Sequence, residues 1–208
     1  MADTIDAIIQ ARLGSSRLPK KVLLDIHGRP LLGHCVDRLK KISTIDRIIV
    51  ATTSETIDDP IDEFCADEKL LCYRGSVNNV LNRFLAASLE YKSERLLRIC
   101  SDNPFIDIEL MRAQISAFEP DDDYCSYYTQ TGENAMIKPV GFFVEAVTRK
   151  ALEKAAELGA DDPRTQEHVT YYIHNHPMDF KIKKLPLPDF IDPELRFTID
   201  YPEDIIVA

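Results

Sequence analysis

The sequence predicts an α/β fold in which a mostly parallel sheet lies between two layers of helices. Short apolar segments rich in β-branched residues alternate with segments of helical apolar spacing from residue 6 to residue 118. Such alternation is typical of parallel strands joined by crossover helices. After residue 121 the rhythm changes to paired strands and short helices. We therefore expect a Rossmann-like three-layer sandwich with a small β-rich subregion.

The alternating part predicts four strands and four helices. The strands are 6–11, 46–52, 70–73 and 95–100, and the helices are 31–41, 58–69, 77–91 and 107–118. The third helix has one apolar face, which includes Leu81, Phe84 and Leu85. Asp107 can cap the fourth helix, with Glu109 favourably placed in its first turn. These features predict helices that pack one face against the sheet.

The second part predicts strands and helices in a less regular order. Strands are expected at 123–129, 138–146, 180–185 and 196–199, and helices at 148–158 and 167–174. No repeat or long linker divides the chain, so residues 1–208 are predicted to form a single domain. A helix that starts at 200–204 would stop at Ala208 after barely a turn. We therefore expect the sequence to be an excised part of a longer protein.

Composition and charge exclude several classes of protein. The net charge of −10 argues against a general nucleic-acid binder or a protein held on anionic lipid. No stretch approaches the roughly 20 apolar residues of a membrane span, and the N-terminus lacks the basic start of a secretory signal. The five cysteines include no CxxC pair, which argues against a disulfide framework or a zinc site. We expect a cytoplasmic protein.

The loop after the first predicted strand is the first candidate site. In open parallel sheets, ligands bind at the carboxyl ends of the strands. The loop 11–21 carries no acid and four basic residues, Arg12, Arg17, Lys20 and Lys21. Gly14, Ser15 and Ser16 add close backbone approach and hydrogen-bond donors, so the loop suits a polyphosphate. A solvated basic loop is an equally good interpretation from spacing alone, because neither common phosphate-loop motif is present.

The letters of this loop, ARLGSSRLPKK, resemble the ARxxSxRLPxK signature of the sugar-acid cytidylyltransferases. That family includes the synthetases of CMP-activated Kdo and sialic acids. The rest of the chain is similar to its SpsF-like branch, named after a spore coat polysaccharide biosynthesis protein. The motifs are RGS at 74–76, VL at 80–81, RF at 83–84, SDNPFID at 101–107, EHVT at 167–170 and TIDYPED at 198–204.

The resemblance implies a nucleotide-diphospho-sugar transferase-like fold and a nucleotidyltransferase activity. CMP would pass from CTP to an acidic sugar or related acceptor, with release of pyrophosphate, for surface polysaccharide synthesis. Arg12 and Lys21 would contact the triphosphate and catalyse the transfer, because such reactions depend mainly on positioning and charge stabilisation. The loop residues expected to surround the nucleotide with them are Ala11, Gly14, Ser15 and Ser16.

Two aspartates are implied as ligands of Mg²⁺. Asp102 follows the fourth predicted strand and Asp200 follows the last, and acids at these positions hold the metal in the family. Mg²⁺ usually takes one or two carboxylates together with phosphate and water. Asp102 is also expected to act in catalysis. The alternative interpretations are a turn residue before Asn-Pro for Asp102 and a helix N-cap for Asp200, and capping is compatible with metal ligation.

Further residues are implied for the base and the acceptor. Arg74 and Ser76 follow the third strand, where the family reads cytosine, and Ser101 lies beside the metal aspartate. Pairing of Arg74 with a surface acid is the alternative. The residues expected to face the acceptor are Lys138, Glu145, Glu167 and His168. A structural role for His168 is equally compatible with the sequence.

One departure from the family pattern concerns the acceptor. The segment written GLDVE in relatives reads GFFVE at 141–145, so Phe143 replaces an acid. This predicts a less polar or a closed acceptor pocket. Two alternatives follow: a nucleotide-binding module of a larger biosynthetic protein with weak or no catalysis, or a transferase with another NTP or a phosphonate or sugar-phosphate acceptor. Relatives also imply a homodimer with an interface at 124–143.

Overall fold

The computed structural model describes residues 4–206 and confirms the predicted fold class. The strands are β1 (Ile5–Gln10), β2 (Asp25–Ile26), β3 (Arg29–Pro30), β4 (Ile45–Thr53), β5 (Leu71–Gly75), β6 (Arg95–Cys100), β7 (Tyr124–Tyr128), β8 (Glu145–Thr148) and β9 (Ile182–Pro186). The α-helices are α1 (Leu31–Leu39), α2 (Asp59–Asp67), α3 (Val80–Glu90), α4 (Ile108–Ala117), α5 (Arg149–Leu158), α6 (Pro163–Glu167) and α7 (Tyr171–Asn175).

Seven of the strands form one sheet in the order β5-β4-β1-β6-β8-β7-β9. The strands β5, β4, β1 and β6 are parallel, β8 is antiparallel to both its neighbours, and β9 is parallel to β7. The short strands β2 and β3 form a separate antiparallel pair. The sheet is therefore mostly parallel, and the parallel strands place their carboxyl ends along one edge.

Helices cover both faces of the sheet, which makes the sandwich three-layered. Ala7 and Ile9 of β1 pack in a core that also holds buried residues of α1, α2 and α4. Ile8, which points to the opposite face of the same strand, packs in a second core with residues of α3 and α5. A central strand that is buried on both faces explains why residues 5–9 are continuously apolar or small apart from Asp6.

Side-chain caps explain where two helices begin, and the cap at Asp107 is the one that the sequence predicts. The side chain of Asp107 accepts a hydrogen bond from the backbone N–H of Leu110 at 2.8 Å, and Thr148 does the same for Ala151 at 3.1 Å. Such an N-cap stabilises a helix by about 1 kcal/mol. The Thr148 cap lies at the end of β8, so α5 begins directly where that strand ends.

Three predicted elements differ in the structure. The strand expected at 138–146 is confined to β8, because Pro139 donates no backbone hydrogen bond and Gly141 has a φ of +78°. The helix expected at 167–174 is two short helices, since His168 has an extended backbone that buries Val169. The segment 196–199 lies outside the sheet; instead, the Ile199 N–H bonds to the carbonyl of Asp102 at 2.9 Å.

The terminal segment forms a 3₁₀ helix at Pro202–Ile206. The expected end of that helix at Ala208 lies outside the described residues, and the extent of the domain stays a prediction. Within residues 4–206, none of the helices has the length and hydropathy needed to span a bilayer.

Candidate active site

A cavity of about 430 Å³ opens at the carboxyl ends of the parallel strands. The basic loop after β1 forms one side of it, the segment after β6 a second, and the end of α6 a third. The structure brings ten of the predicted site residues together here: Ala11, Arg12, Gly14, Ser15, Ser16, Lys21, Ser101, Asp102, Glu167 and His168. The topology therefore gathers the predicted residues around one cavity, as a polyphosphate site requires.

The basic loop is held in place by a buried acid. The backbone N–H of Leu13, itself 2% exposed, donates to Asp58 Oδ1 at 2.6 Å. Thr53 at the end of β4 donates its hydroxyl to the other oxygen of Asp58. Within the loop, the N–H groups of Ser15 and Lys20 both bond to the carbonyl of Leu13, at 2.9 and 3.1 Å. Asp58 thus fixes the loop without facing the cavity.

Lys21 lies between the two predicted metal ligands. Its Nζ donates to Asp102 Oδ2 at 3.0 Å, to Asp200 Oδ1 at 3.0 Å and to the carbonyl of Ile199 at 3.1 Å. Burial disfavours the charge on Lys21, but the two carboxylates outweigh it and raise the pKa of the ammonium. Burial likewise disfavours the Asp200 carboxylate, and Lys21 overcomes this and lowers the pKa of Asp200. The site therefore places a charged lysine between two aspartates, and the two aspartates are close enough to bind one ligand together.

The donor set suits Mg²⁺ only in company with a phosphate. Among residues 4–206, no cluster of three or more acidic, histidine or cysteine side chains could enclose a metal by itself. Asp102 and Asp200 supply two hard oxygen ligands, and Mg²⁺ typically combines such a pair with substrate phosphate and water. The residues present fit that kind of ion.

A second cavity, of about 320 Å³, adjoins the first at Arg17 and Asp102. Its charged lining consists of three cations, Arg17, Lys138 and Arg196, and two acids, Asp102 and Asp200. Its wall also includes Phe143 and Cys100. Burial raises the pKa of the Cys100 thiol to about 11, so the thiol is neutral at physiological pH and unsuited to nucleophilic attack. A partly apolar cavity with one more cation than acids can accommodate an anionic organic molecule.

A third cavity has the opposite electrostatic character. It measures about 740 Å³ and lies between the 129–133 and 187–194 segments. Its charged lining consists of Glu133, Asp189, Asp192, Glu194 and a single cation, Lys138. Such a lining repels a polyphosphate, so size alone does not identify the nucleotide site.

Comparison with known proteins supplies the family. Residues 7–205 match the family model described as Cytidylyltransferase. The chain belongs to this family. It is 35% identical over 203 residues to the spore coat polysaccharide biosynthesis protein SpsF of Bacillus subtilis (strain 168), covering 95% of this chain and 81% of that protein. It is 31% identical over 115 residues to the 3-deoxy-manno-octulosonate cytidylyltransferase of Anaeromyxobacter sp. (strain K), covering 55% of this chain and 47% of that one.

A solved structure agrees with this assignment. The cytidylyltransferase from Leptospira borgpetersenii serovar Hardjo-bovis (strain JB197) superposes with a TM-score of 0.85 at 28% identity, covering 97% of this chain and 83% of that one. These matches confirm the resemblance to SpsF-like sugar-acid cytidylyltransferases, and with it the enzyme class.

In this cytidylyltransferase, the residues expected to read the base lie outside the cavity. Arg74 pairs with Asp59 at 2.6 Å and donates to the carbonyls of Thr53 and Glu55 at 3.1 and 2.8 Å. Its pairing with an acid near the surface is the alternative that the sequence left open. The Ser76 hydroxyl accepts a hydrogen bond from the backbone of Asn79 at 3.1 Å, before α3. The structure brings neither side chain to the nucleotide cavity.

The expectation that Glu145 faces the acceptor is corrected. β8 runs antiparallel to β6, and this register sets Glu145 opposite Arg98 inside the sheet. Its carboxylate is fully buried, is ion-paired with Arg98, and accepts hydrogen bonds from Tyr124 and Thr170. Burial disfavours the charge, but Arg98 outweighs it and holds the pKa of Glu145 well below its usual range. Glu145 therefore stabilises the fold and cannot contact a ligand in the cavities.

Phe143 forms part of the wall of the second cavity. It is 3% exposed, and its ring lies 5.3 Å from that of Tyr127 between centroids. Lys138 lines the same cavity and contacts Glu133 and Glu194 at 3.8 and 3.2 Å. Phe143, at the position where relatives have an acid, thus makes the wall of the second cavity less polar and leaves that cavity open.

Sequence reasoning missed three residues that shape the site. Asp58 was interpreted only as the start of a helix, although its carboxylate anchors the loop. Gln10 and Arg83 also line the nucleotide cavity. Gln10 is the last residue of β1, which is a usable signal, and Arg83 belongs to the RF motif at 83–84, although nothing in the spacing of α3 assigns it to the site.

Proposed function

We propose that this cytidylyltransferase transfers CMP from CTP to an acidic sugar, with release of pyrophosphate, in the synthesis of a surface polysaccharide. The observation that carries the proposal is the position of Lys21, between Asp102 and Asp200 in a cavity lined by Arg12. The names of the relatives, a polysaccharide biosynthesis protein and an octulosonate cytidylyltransferase, support the acceptor class.

The chemistry requires a polyanion to be approached by an anionic acceptor. An acceptor oxygen attacks the α-phosphorus, the bond from that phosphorus to the bridging oxygen breaks, and pyrophosphate leaves with the electron pair. Arg12 is suited to grip phosphate oxygens with its guanidinium, and Lys21 can follow the charge as it moves. Ala11, Gly14, Ser15 and Ser16 bring backbone and hydroxyl donors to the same cavity. Catalysis here is mainly positioning and charge stabilisation.

Asp102 and Asp200 are the residues that would hold Mg²⁺. When bound, the ion would neutralise phosphate charge at the reacting end of the nucleotide. Lys21 contacts both carboxylates, so its ammonium lies where phosphate oxygens and the metal ligands meet. We expect activity to require a divalent cation and to be lost with a chelator.

The second cavity is our proposed acceptor site. It shares Asp102 with the nucleotide cavity, and its cations Arg17, Lys138 and Arg196 favour a carboxylate. Glu167 and His168 line the nucleotide cavity, where they can contact either substrate. Phe143 adds an apolar wall, which suits a deoxy or otherwise less polar part of the sugar.

A homodimer and a cytoplasmic location are proposed from the resemblance. The aromatic residues Tyr124, Tyr127 and Tyr128 are buried within the single chain. Within residues 124–143, all of which the structure describes, Ile137 is the exposed large apolar side chain and is therefore the apolar residue available to a partner. Size-exclusion chromatography tests the dimer, and a monomer at micromolar concentration would reject it.

Pyrophosphate release from CTP and Mg²⁺, measured across a panel of sugar acids, tests the function. We expect release with an acidic sugar and none with the matching neutral sugar. If CTP shifts the melting temperature but no acceptor supports release, the protein is instead a nucleotide-binding module. If neither CTP nor another NTP shifts it, the nucleotide assignment is wrong. Release with a phosphonate or sugar phosphate alone would correct the acceptor class.

A further inference from the structure

Arg83 is a buried arginine that lines the nucleotide cavity. It lies in the first half of α3 and is 2% exposed. It shares the cavity with Arg12 and Lys21. Arginine is almost never buried to this extent unless an acid is paired with it.

The hydrogen bonds of Arg83 leave part of its guanidinium unused. Nη1 donates to the carbonyl of Ser76 at 2.6 Å, whereas Nε is buried without any hydrogen-bond partner. In the described part of the chain, no carboxylate lies within ion-pairing distance of Arg83, and the acid that acts on it from further away is Asp58. A buried donor without a partner is costly, more so on a charged group.

The surroundings of Arg83 add positive charge. Burial, followed by repulsion from Arg12, lowers the pKa of Arg83 to about 10. Arg83 is also the fourth residue of α3, near the end of the helix that carries partial positive charge. Burial, a like charge and the helix end all disfavour this guanidinium, and an anion in the cavity would relieve each of them.

We propose that Arg83 is an anion-binding residue and that it holds a phosphate group of the nucleotide jointly with Arg12. The forked donors of a guanidinium match phosphate oxygens, and two such groups around one cavity suit a polyphosphate. Through Nη1, the same side chain also ties the Ser76 loop to the bound phosphate. The proposal rests on the proposed function in one respect, that the nucleotide occupies this cavity.

Binding of inorganic tripolyphosphate, CTP and cytidine by wild type, Arg83→Gln and Arg83→Lys tests this. We expect Arg83→Gln to weaken tripolyphosphate and CTP by roughly 10- to 100-fold and to leave any cytidine binding unchanged. Arg83→Lys keeps the charge but loses the forked donors of the guanidinium. Its affinity for tripolyphosphate should lie between that of wild type and that of Arg83→Gln. Without ligand, Arg83→Gln should melt at the wild-type temperature or above it, because an unpaired buried charge is removed. Arg112→Gln, which removes one exposed positive charge outside the cavity, controls for net charge.

Equal tripolyphosphate affinity in wild type and Arg83→Gln would overturn the proposal, as would a wild type that binds no tripolyphosphate. If Arg83→Gln does not fold, Arg83→Lys decides: wild-type affinity for tripolyphosphate counts against the proposal, and reduced affinity supports it. Failure of the proposed function can be distinguished from failure of the Arg83 proposal. A wild type that binds tripolyphosphate through Arg83, but releases no pyrophosphate from CTP with any acceptor, would overturn the function and keep Arg83 as an anion ligand.

Discussion

Arg98 and Arg83 are both withdrawn from solvent, but they lie in opposite electrostatic surroundings. Arg98 pairs with Glu145, and that carboxylate also accepts hydrogen bonds from Tyr124 and Thr170. Arg83 lines the nucleotide cavity together with Arg12, and no described carboxylate pairs with it. The first region is electrostatically satisfied without ligand, whereas the second becomes satisfied when an anion binds.

The difference separates residues that stabilise the fold from residues that serve the reaction. Removing one partner of a buried ion pair is strongly destabilising, because the other charge is left buried and unpaired. A buried charge without an acid lowers stability in the free enzyme, and we infer that ligand binding offsets this cost. The predictions below test this division, beginning with the largest change in free energy.

Glu145→Gln should cause the largest loss of stability. It leaves the Arg98 guanidinium buried beside a neutral amide, and breaking a buried ion pair costs about 3–5 kcal/mol. For a chain of this size, we expect the melting temperature to fall by roughly 10 °C. The matched measurement is Arg83→Gln, which removes a buried charge but should not lower the melting temperature. Equal losses in the two variants would contradict the division between the two regions.

Acid should weaken the Glu145 region. The pKa of Glu145 in the folded protein lies below its usual value, so its contribution is fully present above the unfolded pKa of about 4.3. It is lost as the pH falls through the folded pKa. Arg29 lowers the pKa of Glu68 to about 2, and Arg196 does the same for Asp204. Protonation of these two acids therefore adds to the loss of stability as the pH falls. Melting temperatures between pH 5 and pH 2 should therefore fall less steeply in Glu145→Gln than in wild type.

Lys21→Ala should cause the largest loss of activity. The ammonium contacts both Asp102 and Asp200, and loss of one such charge from a transferase site costs roughly 10²- to 10³-fold in rate. Stability should change less than in Glu145→Gln, because Asp102 and Asp200 keep partial access to solvent. The neighbouring Lys20→Ala is the control, since Lys20 is exposed and outside the cavity. Equal rates of pyrophosphate release in both variants would contradict the role of Lys21.

Asp58→Ala should loosen the nucleotide loop without removing any group that lines the cavity. It leaves the Leu13 N–H and the Thr53 hydroxyl without their acceptor, at a cost of about 2 kcal/mol. We expect a lower melting temperature and a higher KM for CTP, because the loop is held less firmly. Asp59→Ala, one residue on and partly exposed, is the control. An unchanged KM in Asp58→Ala would show that the loop keeps its conformation without this anchor.

The fold was largely predictable because its signals are local. The alternation of buried strands and amphipathic helices up to residue 118 and the Asp107 cap are read from neighbouring residues, and the structure confirms them. The errors fall where long-range contacts decide. A strand is expected at 196–199, but backbone N–H groups of this segment bond to the carbonyls of Pro139 and Asp102 instead of a strand. Val169 is buried by the break between α6 and α7.

The site was predictable to the extent that it lies at strand ends. Asp102 and the 11–21 loop directly follow β6 and β1, so topology alone places them together. Asp200 reaches Lys21 although no strand precedes it, because the Ile199 N–H binds the carbonyl of Asp102. The side of the sheet that Glu145 occupies depends on the register of β8 against β6. That register is set by chain-wide packing, which short motifs do not encode.

Arg74→Gln should have the smallest effect and tests the residue that the sequence assigned to the base. Its ion pair with Asp59 is partly exposed, and such pairs contribute about 0–1 kcal/mol, so the melting temperature should change little. Its other donors bond to the carbonyls of Thr53 and Glu55, away from the cavity. We therefore expect the ratio of CTP to UTP affinity to equal that of wild type in parallel titrations. A fall in that ratio would mean that Arg74 leaves Asp59 and reaches the base when nucleotide binds. Arg74 would then be an arginine that is paired in the free protein, as Arg98 is, but binds the ligand, as we propose for Arg83.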